Sequence, residues 1–285
     1  MSDNAPTHYG QAFDDKVIHD YQRTRRLRHT VRTKMVDDAK DLTFRRVGTG
    51  TATTRARGGT VTLNSASKAN VTVTPVEVNA TEFVDRQDVK RMGYDDRDVL
   101  SQSNALALAR KADNQIIVKA AADSTNTVIN RGTEFAKLQH LLLAITALQD
   151  NDVPDDGEMF FICPPKVFNS FMLFEQFSSA DYVGEDGMAL KEGDKRTNAK
   201  NWNGLTLISH TDCPLSGASD IVADCLMWHK SAMGHGTIDE IETDVTKTNA
   251  TGKLGWNVMA IMDMDAVVIN GAGVQKVQIK NAFNE

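Results

Sequence analysis

The first 80 residues of this chain hold too few large apolar side chains, too widely scattered, to build a core of their own. Residues 1–42 read as an arm. Between Tyr21 and Lys34 the arginines Arg23, Arg25, Arg26, Arg28 and Arg32 alternate with isolated apolar residues, and no wide apolar stripe forms at helical spacing. Such a segment is expected to become ordered mainly by lying on another surface. From residue 43 the composition turns to Thr, Val and Gly, and Val71-Thr72-Val73-Thr74 alternates with the period of a strand. The small polar run Asn64 to Asn70 reads as a turn or loop. Residues 43–80 thus predict a long β-hairpin, and a two-stranded hairpin alone is marginal in water. Gly48 and Pro75 mark its base as a candidate hinge.

Charge divides the chain in the same way. Residues 1–60 carry 12 Lys and Arg against 7 Asp and Glu, a net +5, while the rest is net −11 within a total of −6. A basic arm on an acidic body can dock on the acidic surface of a neighbouring copy or face a polyanion such as DNA. No apolar run approaches the roughly 20 residues of a membrane span, and the polar start Met1 to Gly10 lacks the pattern of a secretory signal. Three scattered cysteines, Cys163, Cys213 and Cys225, suit a reducing compartment better than a disulfide framework.

The remainder reads as a mixed α/β body. Residues 95–122 are the longest helix candidate, with seven alanines between 105 and 122. At 1.5 Å per residue it would be roughly 40 Å long. A second helix is expected at about 134–149, ended by Asn151, Asp152 and Pro154. A buried strand, Met159 to Cys163, leads through Pro164-Pro165 into a helix carrying Val167, Phe168, Phe171 and Met172. Residues 178–203 read as a surface loop. Strands follow at Gly204 to Ile208, Cys225 to Lys230, Ile238 to Asp244, Ala266 to Asn270 and Val274 to Ile279, with a helix or strand at Trp256 to Met264.

Candidate chemistry is thin. Gly48-Thr49-Gly50 and Gly271-Ala272-Gly273 lack the spacing and the Lys-Ser/Thr of a phosphate loop. Cys225, His229 and His235 match no zinc spacing and read as core or strand-end residues. The acidic run Asp150 to Glu158 departs from an EF-hand at Pro154 and reads as a solvated loop, with a weak cation site at a subunit junction as the alternative. Asp263 and Asp265 share a strand face and are expected to be exposed. Ser209, His210 and Ser231 sit in no nucleophile elbow. Neither an enzyme nor a bound cofactor or metal is expected.

A basic arm, a coreless hairpin, an overlong helix and a mixed body, in this order, resemble the major capsid protein of tailed bacteriophages with the Hong Kong 97-like fold. Local patterns agree. Leu141-Leu142-Leu143-Ala144-Ile145 leads through an acidic loop to Phe160-Phe161-Ile162-Cys163-Pro164-Pro165-Lys166-Val167-Phe168, Trp202-Asn203-Gly204-Leu205 resembles an aromatic-x-Gly-Leu strand, and Trp256 to Ile269 looks like the closing strands. The resemblance implies an α+β fold. Its parts would be an N-arm (1–42), an extended β-hairpin or E-loop (43–80), a P domain (81–130, with the spine helix at about 95–122, and 246–285) and an A domain (131–245).

The implied function is a coat protein that self-assembles through pentamers and hexamers into an icosahedral head around double-stranded DNA. It would be assembled in the host bacterial cytoplasm, with separate scaffolding, portal and decoration proteins as further partners and no membrane. An encapsulin-like cargo shell and a tail or minor virion protein are the alternatives. The candidate inter-subunit contacts are Arg23, Arg25, Arg26 and Arg28 of the arm and Arg55 and Arg57 near the hairpin tip.

Overall fold

The computed structural model describes residue 24 and residues 26–36, 41–91, 96–130, 132, 134–178, 199–217, 221–238, 241–248 and 254–283. Along the chain the strands are β1 (Arg32–Met35), β2 (Leu42–Val47), β3 (Lys68–Val73), β4 (Val76–Asp85), β5 (Met159–Cys163), β6 (Ala199–Trp202), β7 (Leu205–Ser209), β8 (Leu215–Ser216), β9 (Val222–His229), β10 (Met233–Thr237), β11 (Glu242–Thr248), β12 (Gly255–Val268) and β13 (Val274–Lys280). The helices are α1 (Arg86–Arg91), α2 (Asp96–Ala122), α3 (Leu138–Gln149), α4 (Pro165–Met172) and α5 (Glu175–Ser178). None of the described helices is long and apolar enough to cross a membrane. Two compact units separate: one of residues 1–24, 77–110 and 240–262, the other of residues 25–76, 111–239 and 263–285.

The larger unit is organised on a sheet ordered β13-β9-β5-β7-β6, with β8 added on β9. Strand β5 pairs in parallel with β7 and antiparallel with β9. Successive residues of a strand point to opposite faces, and the sequence of β5 uses both. Phe161 and Cys163 face a core completed by Leu141, Ala144 and Leu148 of α3 and by Val167 and Phe171 of α4. Phe160 and Ile162 face a second core with Ile116, Ile117 and Ala120 of α2. A strand buried on both sides needs an unbroken apolar run, which is why Met159-Phe160-Phe161-Ile162-Cys163 shows no alternation. Pro165 then occupies the first turn of α4, where its missing N–H costs nothing.

The closing strand Val274 to Ile279 belongs to this sheet as β13, in full antiparallel register with β9. The stretch expected as 246–285 is therefore divided between two sheets. Within the same unit, β10 pairs antiparallel with β12 from Met233↔Val268 to Thr237↔Met264. The segments expected at Trp256 to Met264 and Ala266 to Asn270 are this one long strand. Its alternation buries Met264 and Ala266 and leaves Asp263 and Asp265 half-buried. Asp265 is not simply exposed, because Lys119 Nζ lies 3.6 Å from its carboxylate.

The smaller unit contains β4, α1, the first half of α2, β11 and the start of β12. Strand β11 pairs antiparallel with β12 from Glu242↔Ile261 to Thr248↔Gly255. Asn104 of α2 is buried and donates from Nδ2 to the Val258 carbonyl at 3.2 Å. Arg97 stacks its guanidinium over the Trp256 ring, 5.3 Å from the centroid. Val84, Leu108, Ala109, Val258, Ala260 and Met262 are the described buried apolar residues here.

Candidate assembly surface

The arm departs from expectation at its inner end. Leu27 is fully buried and Val31 nearly so, both in the core that contains Ile116 and Trp228. Their backbone is anchored by Asp113 of α2, which has no exposed side-chain area. One carboxylate oxygen accepts the Arg26 N–H at 2.9 Å and the other the Leu27 N–H at 3.1 Å. His210 Nε2 lies 3.4 Å from the same group. Burial works against the Asp113 charge, but the His210 hydrogen bond and the two backbone N–H groups outweigh it and hold the carboxyl below its ordinary range. Trp228 Nε1 donates to the Thr30 carbonyl at 3.1 Å. Strand β1 then runs parallel to β10, from Arg32↔Gly234 to Met35↔Thr237. Residues 26–36 therefore find their partners within their own subunit, which corrects the reading of the whole stretch 1–42 as a segment without them.

The hairpin shows the opposite behaviour along its length. Strands β2 and β3 pair from Leu42↔Val73 to Val47↔Lys68. Its base is buried: Leu42, Phe44 and Val73 form a small core with Ile269. Two glycines of β10 make room for it. A Cβ at Gly234 would lie 2.9 Å from the Phe44 ring, and one at Gly236 would lie 2.6 Å from Leu42 Cδ1. Glycine inside a strand is the sequence signal for such an approach.

Beyond Gly48, whose N–H donates to the Ser67 carbonyl at 2.7 Å, the strand ladder ends, and Asn64 Nδ2 donates to the Thr51 carbonyl across the hairpin at 2.6 Å. Every residue from 49 to 65 is exposed. The chain reverses at Ala56 to Gly59, where Gly59 N–H donates to the Ala56 carbonyl and Gly58 takes φ +84°. The turn expected over Asn64 to Asn70 is thus displaced, and Lys68 to Asn70 are strand. Val61 is 64% and Leu63 94% exposed, so apolar area stands free at the tip.

Of the candidate contact residues, Arg55 precedes this turn, Arg57 lies within it, and both are exposed. Arg26 and Arg28 are half-buried at the root of the arm. Arg23 and Arg25 lie outside the described residues, as does most of the loop expected at 178–203. Among the described residues, the tip arginines Arg55 and Arg57 and the arm arginines Arg26 and Arg28 form no single site.

The polar clusters are internal clips. His229 Nδ1 accepts from the Ser231 N–H at 3.3 Å and lies 2.7 Å from Ser231 Oγ, which leaves Nε2 to donate to Asp156 at 2.9 Å. That bond, helped by the Glu158 N–H, lowers the Asp156 carboxyl below its usual range. Asp156, Glu158 and His229 converge closely enough to suggest a cation site. Both His229 nitrogens are engaged, however, and Glu158 is balanced by Lys230 Nζ at 2.6 Å. This geometry holds the acidic loop 150–158 to the end of β9. Burial pushes the Cys163 and Cys225 thiols well above their ordinary value, so these cysteines behave as core residues.

A doubly covered mixed sheet, a continuous 27-residue helix and a hairpin with a bare tip are the parts of a tailed-phage coat subunit. The family profile described as "Phage capsid protein" matches residues 5–281, and the chain belongs to that family.

Solved structures share the fold. The capsid of cyanophage P-SCSP1u superposes with a TM-score of 0.74 at 15% identity, covering 99% of this chain and 97% of that one. Mycobacterium phage Che8 gives 0.75 at 14%, covering 96% and 98%. The head of Helicobacter pylori bacteriophage KHP40 gives 0.74 at 10%, covering 98% of each. No curated protein sequence matches the chain.

Proposed function

We propose that this capsid protein self-assembles through pentamers and hexamers into an icosahedral head that encloses double-stranded DNA. The observation that carries the reading is the hairpin: its base is built into the subunit, while residues 49–65 are wholly exposed, Leu63 at 94%. Apolar area left free on an ordered projection is completed by another molecule, and a shell of copies supplies the same surface at every position. Each such contact is weak alone. Several made at once by one subunit multiply.

In this reading residues 1–42 are the N-arm, 43–80 the E-loop, 81–130 and 246–285 the P domain and 131–245 the A domain. Strand β13 joins the A-domain sheet. Arg55 and Arg57 of the tip and Arg23, Arg25, Arg26 and Arg28 of the arm contact neighbouring copies. The packaged DNA meets the inner face without sequence preference, through charge. Assembly takes place in the cytoplasm of the host bacterium, with separate scaffolding, portal and decoration proteins.

Electron microscopy of the expressed chain, alone and with the products of neighbouring genes, tests the reading. Closed shells of uniform diameter are expected. Tubes, or a monodisperse monomer under every condition, would overturn it.

A further inference from the structure

Beside the base of the hairpin runs a cleft of about 460 Å³. It is lined by Arg32, Thr33 and Lys34 of β1 and by Thr43, Phe44 and Arg45 of β2. Consecutive strand residues point to opposite faces. A cleft lined by three consecutive residues from each of two strands therefore follows their edges, not one face. Among the described residues β1 pairs only with β10 and β2 only with β3, so both edges along the cleft keep unpaired backbone groups. Asn70, opposite Arg45 in the hairpin ladder, adds an amide side chain.

The charge is one-sided. Arg32, Lys34 and Arg45 bring three cations to this small space. Among the described residues none of them forms an ion pair. Lys34 Nζ instead reaches across from β1 to the Thr43 carbonyl of β2, 3.0 Å away. Arg32 and Arg45 remain exposed.

We infer that this cleft is a docking site for an extended, carboxylate-bearing segment of a second copy of the same chain. The inference rests on the self-assembly reading above. Two features point to the occupant. Open strand edges accept a peptide backbone as an added strand. The sequence after residue 60 is net −11, so any second copy supplies an acidic surface, and in a shell it does so at high effective concentration. Arginine forks suit the carboxylates bidentately.

The test uses particles assembled from a mixture of normal and heavy-isotope chains, treated with a carbodiimide that joins amines to touching carboxylates. The expected result is a Lys34 cross-link to an Asp or Glu in which the two peptides carry different isotope labels. Replacing Lys34→Arg should remove the cross-link. The pair Arg32→Glu and Arg45→Glu should lower yield by roughly tenfold or more at physiological ionic strength, because every copy loses one linked contact. Thermal unfolding of the dissociated subunit should not move, since both side chains are exposed.

Particles that form without any mixed-label Lys34 link would overturn the inference and leave the assembly reading standing. Normal particles from the doubly reversed variant, with loss of DNA retention, would assign the cleft to the polynucleotide instead. Failure of the unaltered chain to form particles would overturn the assembly reading itself, and the docking site with it.

Discussion

Replacing Asp113→Asn would loosen the arm while leaving the shape of the core almost untouched. The carboxylate accepts two backbone N–H groups, one on each oxygen, in a place with no solvent. An asparagine keeps one acceptor and turns an amino group toward the other N–H. One charge-assisted bond is lost, worth about 1.5–3 kcal/mol, and a buried donor is left unsatisfied at about 1–3 kcal/mol. These overlap, so the expected loss is about 2–4 kcal/mol.

The loss should depend on pH. The folded pKa of Asp113 is depressed, so its contribution is complete above about pH 4 and vanishes as pH falls through the folded value. Urea unfolding of the dissociated subunit should show the variant weakest relative to the unaltered chain at neutral pH, with the two converging in acid. Hydrogen exchange at the Leu27 amide should accelerate by more than exchange in β5. Equal urea midpoints at pH 7, or a Leu27 amide that exchanges at the original rate, would refute the account of how the arm is held.

Three further outcomes are expected. Gly236→Ala should cost about 1–3 kcal/mol, because its Cβ would sit 2.6 Å from Leu42 Cδ1 in an already filled site; urea unfolding measures it, and Gly50→Ala, with open space around it, is the control. Leu63→Ser should change subunit stability by less than about 0.5 kcal/mol and still reduce particle yield, as judged by sedimentation. His140 is buried, and its desolvation lowers its pKa despite the Glu134 hydrogen bond. It therefore stabilises fully above about pH 6.5 and progressively less as pH falls below that. His140→Gln should flatten that part of the stability curve, which unfolding at pH 5 and pH 7 compares.

Elements that depend on local pattern were legible. The alanines of 105–122 announce α2, observed as Asp96–Ala122, and the apolar run before Pro164-Pro165 announces β5 and α4. Features that depend on distant partners were not. Leu27 and Val31 look isolated in sequence, and the groups that cover and tie them, Asp113 and Trp228, lie 86 and 198 residues from their bonded partners. The hairpin base was misread for the same reason: Leu42 and Phe44 are buried by glycines of a strand nearly two hundred residues later.

The exposed state of Arg55 and Arg57 followed from composition. The three cations of the cleft were missed, although Arg32 and Lys34 stand two apart on one strand. That spacing puts them on one side only once the segment is known to be a strand, and the arginine-rich stretch 21–34 reads equally as a helix.

The pairing of β13 with β9 has a consequence for biosynthesis. The central sheet lacks an outer strand until Val274 to Lys280 has been made, so a nascent chain shorter than this presents an unfinished sheet.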